Sequence, residues 1–165
     1  MAERERVREG MRGFFGVGIY QTHSEWNTGS LFRMAQAFGC SFAYTIGKIY
    51  ERTYFDTSRF ARHLPYFHYA DFDDFKAHLP MGTQLIGVEL DARAQDLRQF
   101  WHPEQAVYLL GAEHHGLPPH VLDACDSIVQ LPTPFSLNVA TMGSIVVYDR
   151  FAKMETRQNR RAFFG

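Results

Sequence analysis

Few stretches of this chain hold residue types that could do chemistry, and most of them fail on spacing. Gly111 and Gly116 bracket the loop Gly-Ala-Glu-His-His-Gly, which has the Gly-x4-Gly spacing of a phosphate cradle. Such a cradle needs a Lys directly after its second Gly, and Leu117 stands there. No Gly-x-Gly-x-x-Gly opens a helix after the first apolar run either, so binding of nucleotide phosphates is unsupported. His114, His115, His120 and Cys125 lie close in sequence. Adjacent histidines do not converge easily on one ion, and zinc sites favour His-x3-His or Cys-x2-Cys spacing. They read as surface histidines flanking a turn, and no metal is expected. Cys40 and Cys125 read as core fillers rather than nucleophiles. Ser136 lacks the Gly-x-Ser-x-Gly elbow of a hydrolase. Together with Asn138 it is placed to satisfy free N–H groups at the start of a helix, which leaves room for a further role.

These loops need elements to hold them. Phe14–Tyr20 is an apolar run that predicts a buried strand, and Leu31–Phe38 follows in helical style with Gly39 as its stop. Ser41–Ile46 is β-branched and aromatic, hence a second strand. The stretch from Tyr50 to Tyr69 is rich in aromatics and Arg but has no clean period. Asp71 caps a predicted short helix through Leu79, which Pro80-Met81-Gly82 breaks. Strands are predicted at Gln84–Glu89, Ala106–Leu110 and Ser127–Leu131. Helices are predicted at Gln95–Trp101, from Pro118-Pro119 through Ala124, and from Asn138 to about Arg157. Strands alternating with helices make an α/β fold with a mostly parallel sheet covered on both faces. Ligands in such sheets sit beyond the carboxyl ends of the strands, which points to the loops after Leu110 and Val129.

Composition bounds the rest. The chain has 165 residues, 45% of them apolar by type, which fits a single domain with one continuous core. Residues 1–12 and 156–165 are expected as flexible ends. No apolar run approaches the ~18 residues that span a membrane, and the charged start, Met1 to Glu9, has no apolar signal segment. Two cysteines without Cys-x2-Cys spacing suit a reducing cytoplasm. Charges nearly balance, 17 Lys and Arg against 18 Asp and Glu, which argues against a strongly basic nucleic-acid binder. Fourteen of the 17 cations are nevertheless Arg, whose planar fork suits phosphate oxygens and stacking on bases. Arg150, Lys153, Arg157, Arg160 and Arg161 cluster in the last helix, either as a solvated face or as an RNA contact.

Three segments taken in order are more specific than any of these features alone. They are Asn27-Thr28-Gly29-Ser30-Leu31-Phe32-Arg33, then Tyr108 through Pro118 (YLLGAEHHGLP), then Leu131-Pro132-Thr133-Pro134-Phe135-Ser136-Leu137-Asn138-Val139-Ala140. Over roughly Phe15 to Lys153 the chain resembles the SpoU/TrmH family of SPOUT RNA methyltransferases in a minimal single-domain form. The resemblance implies a C-terminal trefoil knot, S-adenosylmethionine as cofactor, a homodimer, and methyl transfer to a ribose 2′-hydroxyl of tRNA or ribosomal RNA. It carries catalytic roles onto Arg33, Asn27, Glu113, Ser136 and Asn138. Cofactor contacts fall on Val88, Gly111, Leu131, Ser136 and Leu137, with Gly111 expected to let the adenine ring approach closely. The chain departs from the family pattern at three places. Glu25-Trp26 stands where Pro-Pro is common, Phe135 where an Arg commonly precedes the Ser, and His114-His115 where a small or basic residue is more usual. The competing class is a non-catalytic RNA-binding or assembly protein with the same fold. Retention of Arg33, Ser136 and Asn138 argues against it.

Overall fold

A computed structural model describes residues 13–51, 63–112 and 115–164, with side chains through Glu155. Residues 1–12, expected as a flexible end, and Glu113 lie outside the described residues. Seven strands form one sheet: β1 (Phe14–Tyr20), β2 (Phe42–Ile46), β3 (Tyr66–Tyr69), β4 (Gln84–Val88), β5 (Gln95–Asp96), β6 (Gln105–Leu110) and β7 (Ser127–Gln130). Their spatial order is β3-β2-β1-β6-β4-β7-β5, and every pairing is parallel. Among the described residues four helices cover it: α1 (Glu25–Ala37), α2 (Phe72–Ala77), α3 (Pro119–Asp123) and α4 (Val139–Phe164).

Both faces of the sheet are buried, which is why its central strands read as unbroken apolar runs. On one face Phe15, Val17, Ile19 and Tyr108 meet Leu31, Phe32 and Ala35 of α1 and Val146 and Val147 of α4. On the other, Tyr44, Leu85, Val107 and Leu109 meet Phe72 and Phe75 of α2 and Val121 and Leu122 of α3. Tyr44 and Phe75 stack with ring centroids 4.8 Å apart. Each such side chain contributes about 1.5–3 kcal/mol through removal from water. The two long helices touch through Gly143 of α4, where a Cβ would lie 2.3 Å from Leu31 and 3.1 Å from Leu110. A methyl group there would push α4 off the sheet.

Several sequence expectations need correction. α1 begins at Glu25, six residues earlier than the apolar pattern indicates, because Ser24 caps it by accepting from the Asn27 N–H at 3.2 Å. The buried hydroxyls of Thr22 and Thr28, 2.6 Å apart, hold that first turn against the poor helix propensity of Asn-Thr-Gly-Ser. Gln95–Asp96 is a short edge strand rather than the start of a helix, since it pairs with Val129 and Gln130 and the Leu97 N–H reaches the Gln130 carbonyl at 2.8 Å. Arg150 and Lys153 are held by protein carbonyls rather than left on a solvated face. Arg150 is only 2% exposed, and Lys153 donates to the Leu97 and Phe100 carbonyls. Val146, Val147 and Met154 of the same helix are core residues. No helix among the described residues is long and apolar enough to cross a membrane.

Candidate active site

The carboxyl ends of β6, β4 and β7, neighbours in the sheet, open into a cleft of about 600 Å³. That size suits a small organic ligand. Val88 ends β4, Gly111 follows β6, and Leu131, Ser136 and Leu137 come from the loop after β7; all five line the cleft. Every residue expected to contact a cofactor thus meets in one place. Leu110, Val139 and Met142 add apolar wall.

The loop after β6 is closed by its own main chain. Ala112 and Gly116 form an antiparallel bridge, with the Gly116 N–H donating to the Ala112 carbonyl at 2.9 Å. A Cβ on Gly111 would stand 2.3 Å from the Gly116 carbonyl carbon and 2.5 Å from the Leu117 nitrogen. Gly111 is therefore needed for backbone to pass backbone, a requirement that stands whatever the cleft holds. Glu89 fixes the far side of this loop. Its carboxylate accepts the Leu117 N–H at 2.8 Å and the Leu90 N–H at 3.0 Å, and it lines the cleft. Sequence reasoning missed Glu89, because a single acid at the end of an apolar run carries no spacing signal.

Asn138 caps α4: its Oδ1 accepts the Ala140 N–H at 2.9 Å and the Thr141 N–H at 3.2 Å. The other half of the same amide donates from Nδ2 to Asn27 Oδ1 at 3.1 Å. The first and third sequence motifs, 111 residues apart, are thereby tied together at the mouth of the cleft. Ser136 does not share the capping; it lies exposed in the cleft wall. Gln21, at φ 52°, turns the chain out of β1 toward Ser24 and so aims α1 at this junction.

Arg33 is not at the junction. It lies on the third turn of α1, exposed, six residues and about 9 Å along the axis from Asn27. At 100° per residue it also faces about a third of a turn away from Asn27. Beside the cleft, the Arg93 fork holds the Asp91 carboxyl below the usual carboxylate range, accepted bonds of 2.9 and 3.2 Å linking the two. Burial pushes the Cys40 thiol up to about 12 and the Cys125 thiol up to about 11, which removes both as nucleophiles at neutral pH. Among the described residues no group of three or more His, Cys, Asp or Glu is placed to hold a metal.

The sequence model of the SpoU rRNA Methylase family matches residues 15–148. The chain belongs to this family. A mouse (Mus musculus) tRNA (guanosine(18)-2′-O)-methyltransferase, TARBP1, is 35% identical over 71 residues, which is 41% of this chain and 4% of that much longer protein. Among solved structures, the TrmH/SpoU tRNA modifying enzyme of A. aeolicus superposes with a TM-score of 0.78 at 18% identity, over 95% of this chain and 86% of its own. A structure described as showing 2-OH methylation of C/U34 on tRNA gives 0.75 at 23% identity, over 88% and 99%. The AdoMet-bound rRNA methyltransferase of Sinorhizobium meliloti gives 0.74 at 22% identity, over 87% of this chain and 59% of that one. At these identities the superpositions establish a shared fold. This family's fold accounts for the parallel sheet and for a cleft at its carboxyl edge.

Proposed function

We propose that this family member transfers a methyl group from S-adenosylmethionine to a ribose 2′-hydroxyl of tRNA or ribosomal RNA, and that it works as a homodimer with its C-terminal segment threaded as a knot. The observation that carries this is the Asn27–Asn138 hydrogen bond, which fixes the first and third motifs at the mouth of the cleft lined by the second. The cleft fits the cofactor: apolar walls suit an adenine and a thioether, and the main chain at three strand ends offers N–H and C=O groups to a purine edge. Val88, Gly111, Leu131, Ser136 and Leu137 are the residues that would hold it, and when bound it supplies an electrophilic methyl on a positively charged sulfur.

The chain's own part is alignment and proton handling. In-line transfer requires the ribose oxygen to be held against the methyl, so fixing the mouth rigidly lowers the entropic barrier. Asn27 and Asn138 do that by sharing one amide–amide bond across the two motifs. Ser136, exposed beside them, is placed to hold a ribose hydroxyl. Arg33 orients a phosphate and eases loss of the hydroxyl proton through its charge, since a guanidinium does not give up its own proton at neutral pH. Glu113, which lies outside the described residues, takes the second motif's acidic role. The distance of Arg33 from the mouth within one chain supports the dimer, in which a second copy brings its Arg33 to this cleft. Tyr148, 58% exposed, together with Phe38 and Phe151, forms an aromatic cluster along the α1–α4 edge that suits such a contact.

Trp26 and Phe135, 64% and 83% exposed, flank Asn27 and Asn138 in sequence and offer stacking faces to unpaired bases. That supports a single-stranded RNA target in place of a duplex. The deciding experiment is incubation with labelled S-adenosylmethionine and bulk tRNA or ribosomal RNA from cells lacking the gene, followed by nuclease digestion. Label on a 2′-O-methyl nucleoside is expected. Binding of RNA with no label transferred would support the non-catalytic alternative. Sedimentation equilibrium at micromolar concentration tests the dimer, and an active monomer would refute it.

A further inference from the structure

We propose that Glu89 makes the cleft distinguish the methyl donor from its spent product by charge. This inference rests on S-adenosylmethionine being the cofactor and adds a specificity-determining residue that lies outside the three sequence motifs.

Among the described residues the cleft wall carries two carboxylates, Glu89 and Asp91, and neither Lys nor Arg. Asp91 is matched, because Arg93 binds it through Nε at 2.9 Å and Nη2 at 3.2 Å and then reaches Asp123. Glu89 differs. It is half-buried, and among the described residues no Lys, Arg or His pairs with it. Its two partners are the neutral N–H groups of Leu90 and Leu117, which fix the position of the carboxylate without cancelling its charge. Gly116 holds it from below: a Cβ there, already strained by a φ of +60°, would stand 2.5 Å from Glu89 Oε2. The result is a carboxylate group fixed by two N–H donors on the wall of the cleft.

The reaction removes one positive charge from what the cleft holds. The oxygen–carbon bond forms as the sulfur–methyl bond breaks, its electron pair stays on sulfur, and the hydroxyl proton leaves to solvent. A cationic sulfonium becomes a neutral thioether. S-adenosylmethionine and S-adenosylhomocysteine share their adenosine and amino-acid parts and differ by the methyl group and its charge, so a fixed carboxylate acts on the part in which they differ. It favours the donor before transfer and releases the product after it. With the effective dielectric of a partly exposed protein site, one charge across such a cleft alters the donor-to-product affinity ratio by about five- to tenfold.

Calorimetric titration of both ligands into wild type, Glu89→Gln and Glu89→Asp tests this without any turnover. The ratio of the two dissociation constants is the readout, because a loop merely loosened weakens both ligands alike and leaves the ratio where it was. The expected result is a ratio about five- to tenfold less favourable to S-adenosylmethionine in Glu89→Gln and close to wild type in Glu89→Asp, whatever the absolute affinities. An unchanged ratio in Glu89→Gln overturns the proposal, and so does loss of both ligands in both variants, which would make Glu89 a prop for the 111–117 loop. If wild type binds neither ligand, it is the cofactor assignment that fails.

Discussion

The two ends of α4's contact with the sheet treat polar groups in opposite ways. At its start, beside the cleft, Asn138 and Ser136 are exposed and the polar contacts are few. Further along, at the amino end of β6, α4 buries a dense network. His102 is 3% exposed; its Nε2–H donates to Asp149 at 2.8 Å and its Nδ1 accepts the Tyr108 hydroxyl at 2.5 Å. Arg150 donates to the Pro103 carbonyl at 2.5 Å and the Glu104 carbonyl at 3.0 Å, with its guanidinium 5.0 Å above the Phe15 ring. Lys153 adds an ion pair to Asp149 at 2.7 Å. A Tyr-His-Asp chain in this state looks like acid–base machinery, yet it has no access to a ligand and its groups are occupied by protein partners. The open end, with its exposed Ser136 hydroxyl and Asn138 amide, is where the proposed substrate would find partners.

Substitutions at the buried end should cost stability and leave binding alone. The largest effect is expected for Arg150→Ala, which strips two carbonyls and Tyr108 of a charged donor and should destabilise by about 3–5 kcal/mol. Denaturant melts measure it, and calorimetry with S-adenosylmethionine below the melting transition should give near wild-type affinity. A loss confined to affinity would erase the contrast between the two ends.

Acid should act at the same place. Burial lowers the His102 pKa to about 4 from 6.5, against the pull of Asp149 in the other direction. Between those values the unfolded chain binds a proton that the folded chain refuses. Stability from this group is therefore complete above pH 6.5 and is lost as pH falls toward 4, by about 3 kcal/mol. Melts across that interval should show the slope in wild type and a flatter one in His102→Gln; equal slopes would place the effect elsewhere.

At the open end the signs reverse. Arg33→Ala should leave melting and cofactor affinity unchanged while slowing single-turnover methyl transfer by about 10²–10³-fold, the worth of a charge-assisted contact made only as the oxygen becomes anionic. Arg33→Lys should recover little if the fork holds two partners at once. Transfer at the wild-type rate would remove Arg33 from the reaction. The smallest effects belong to the Asn pair: Asn138→Ala should cost about 1 kcal/mol of stability through the lost cap, and Asn27→Ala about half of that. A double-mutant cycle on transfer rate should show coupling between them, and strict additivity would mean that their hydrogen bond does not organise the mouth.

What the sequence made legible follows from the same physics. Strands buried on both faces, such as Phe14–Tyr20 and Gln105–Leu110, declare themselves as apolar runs. Edge strands do not: Tyr66–Tyr69 is half-exposed and aromatic, and Gln95–Asp96 is two polar residues held by pairing alone. The first turns of α1 were hidden because their residues favour caps and turns, and tertiary hydroxyl bonds override that preference. The lining residues Val88, Gly111, Leu131, Ser136 and Leu137 were legible as loop ends of a parallel sheet read through a family resemblance. Glu89 and the buried cations Arg150 and Lys153 were not, because whether a charge faces water or carbonyl groups is decided by partners 28 to 56 residues away.

Backbone pressed on backbone at Gly111 and Gly116–Leu117 bears on how freely this protein can change. A wall built from side chains is redrawn by each substitution, whereas this one keeps its contour so long as the loop closes. An exposed residue of the loop such as His115 is then open to exchange without reshaping the chamber. The two glycines are not: even an alanine at Gly111 must displace main chain. Mutational scanning of the loop should therefore show broad tolerance interrupted by two intolerant points.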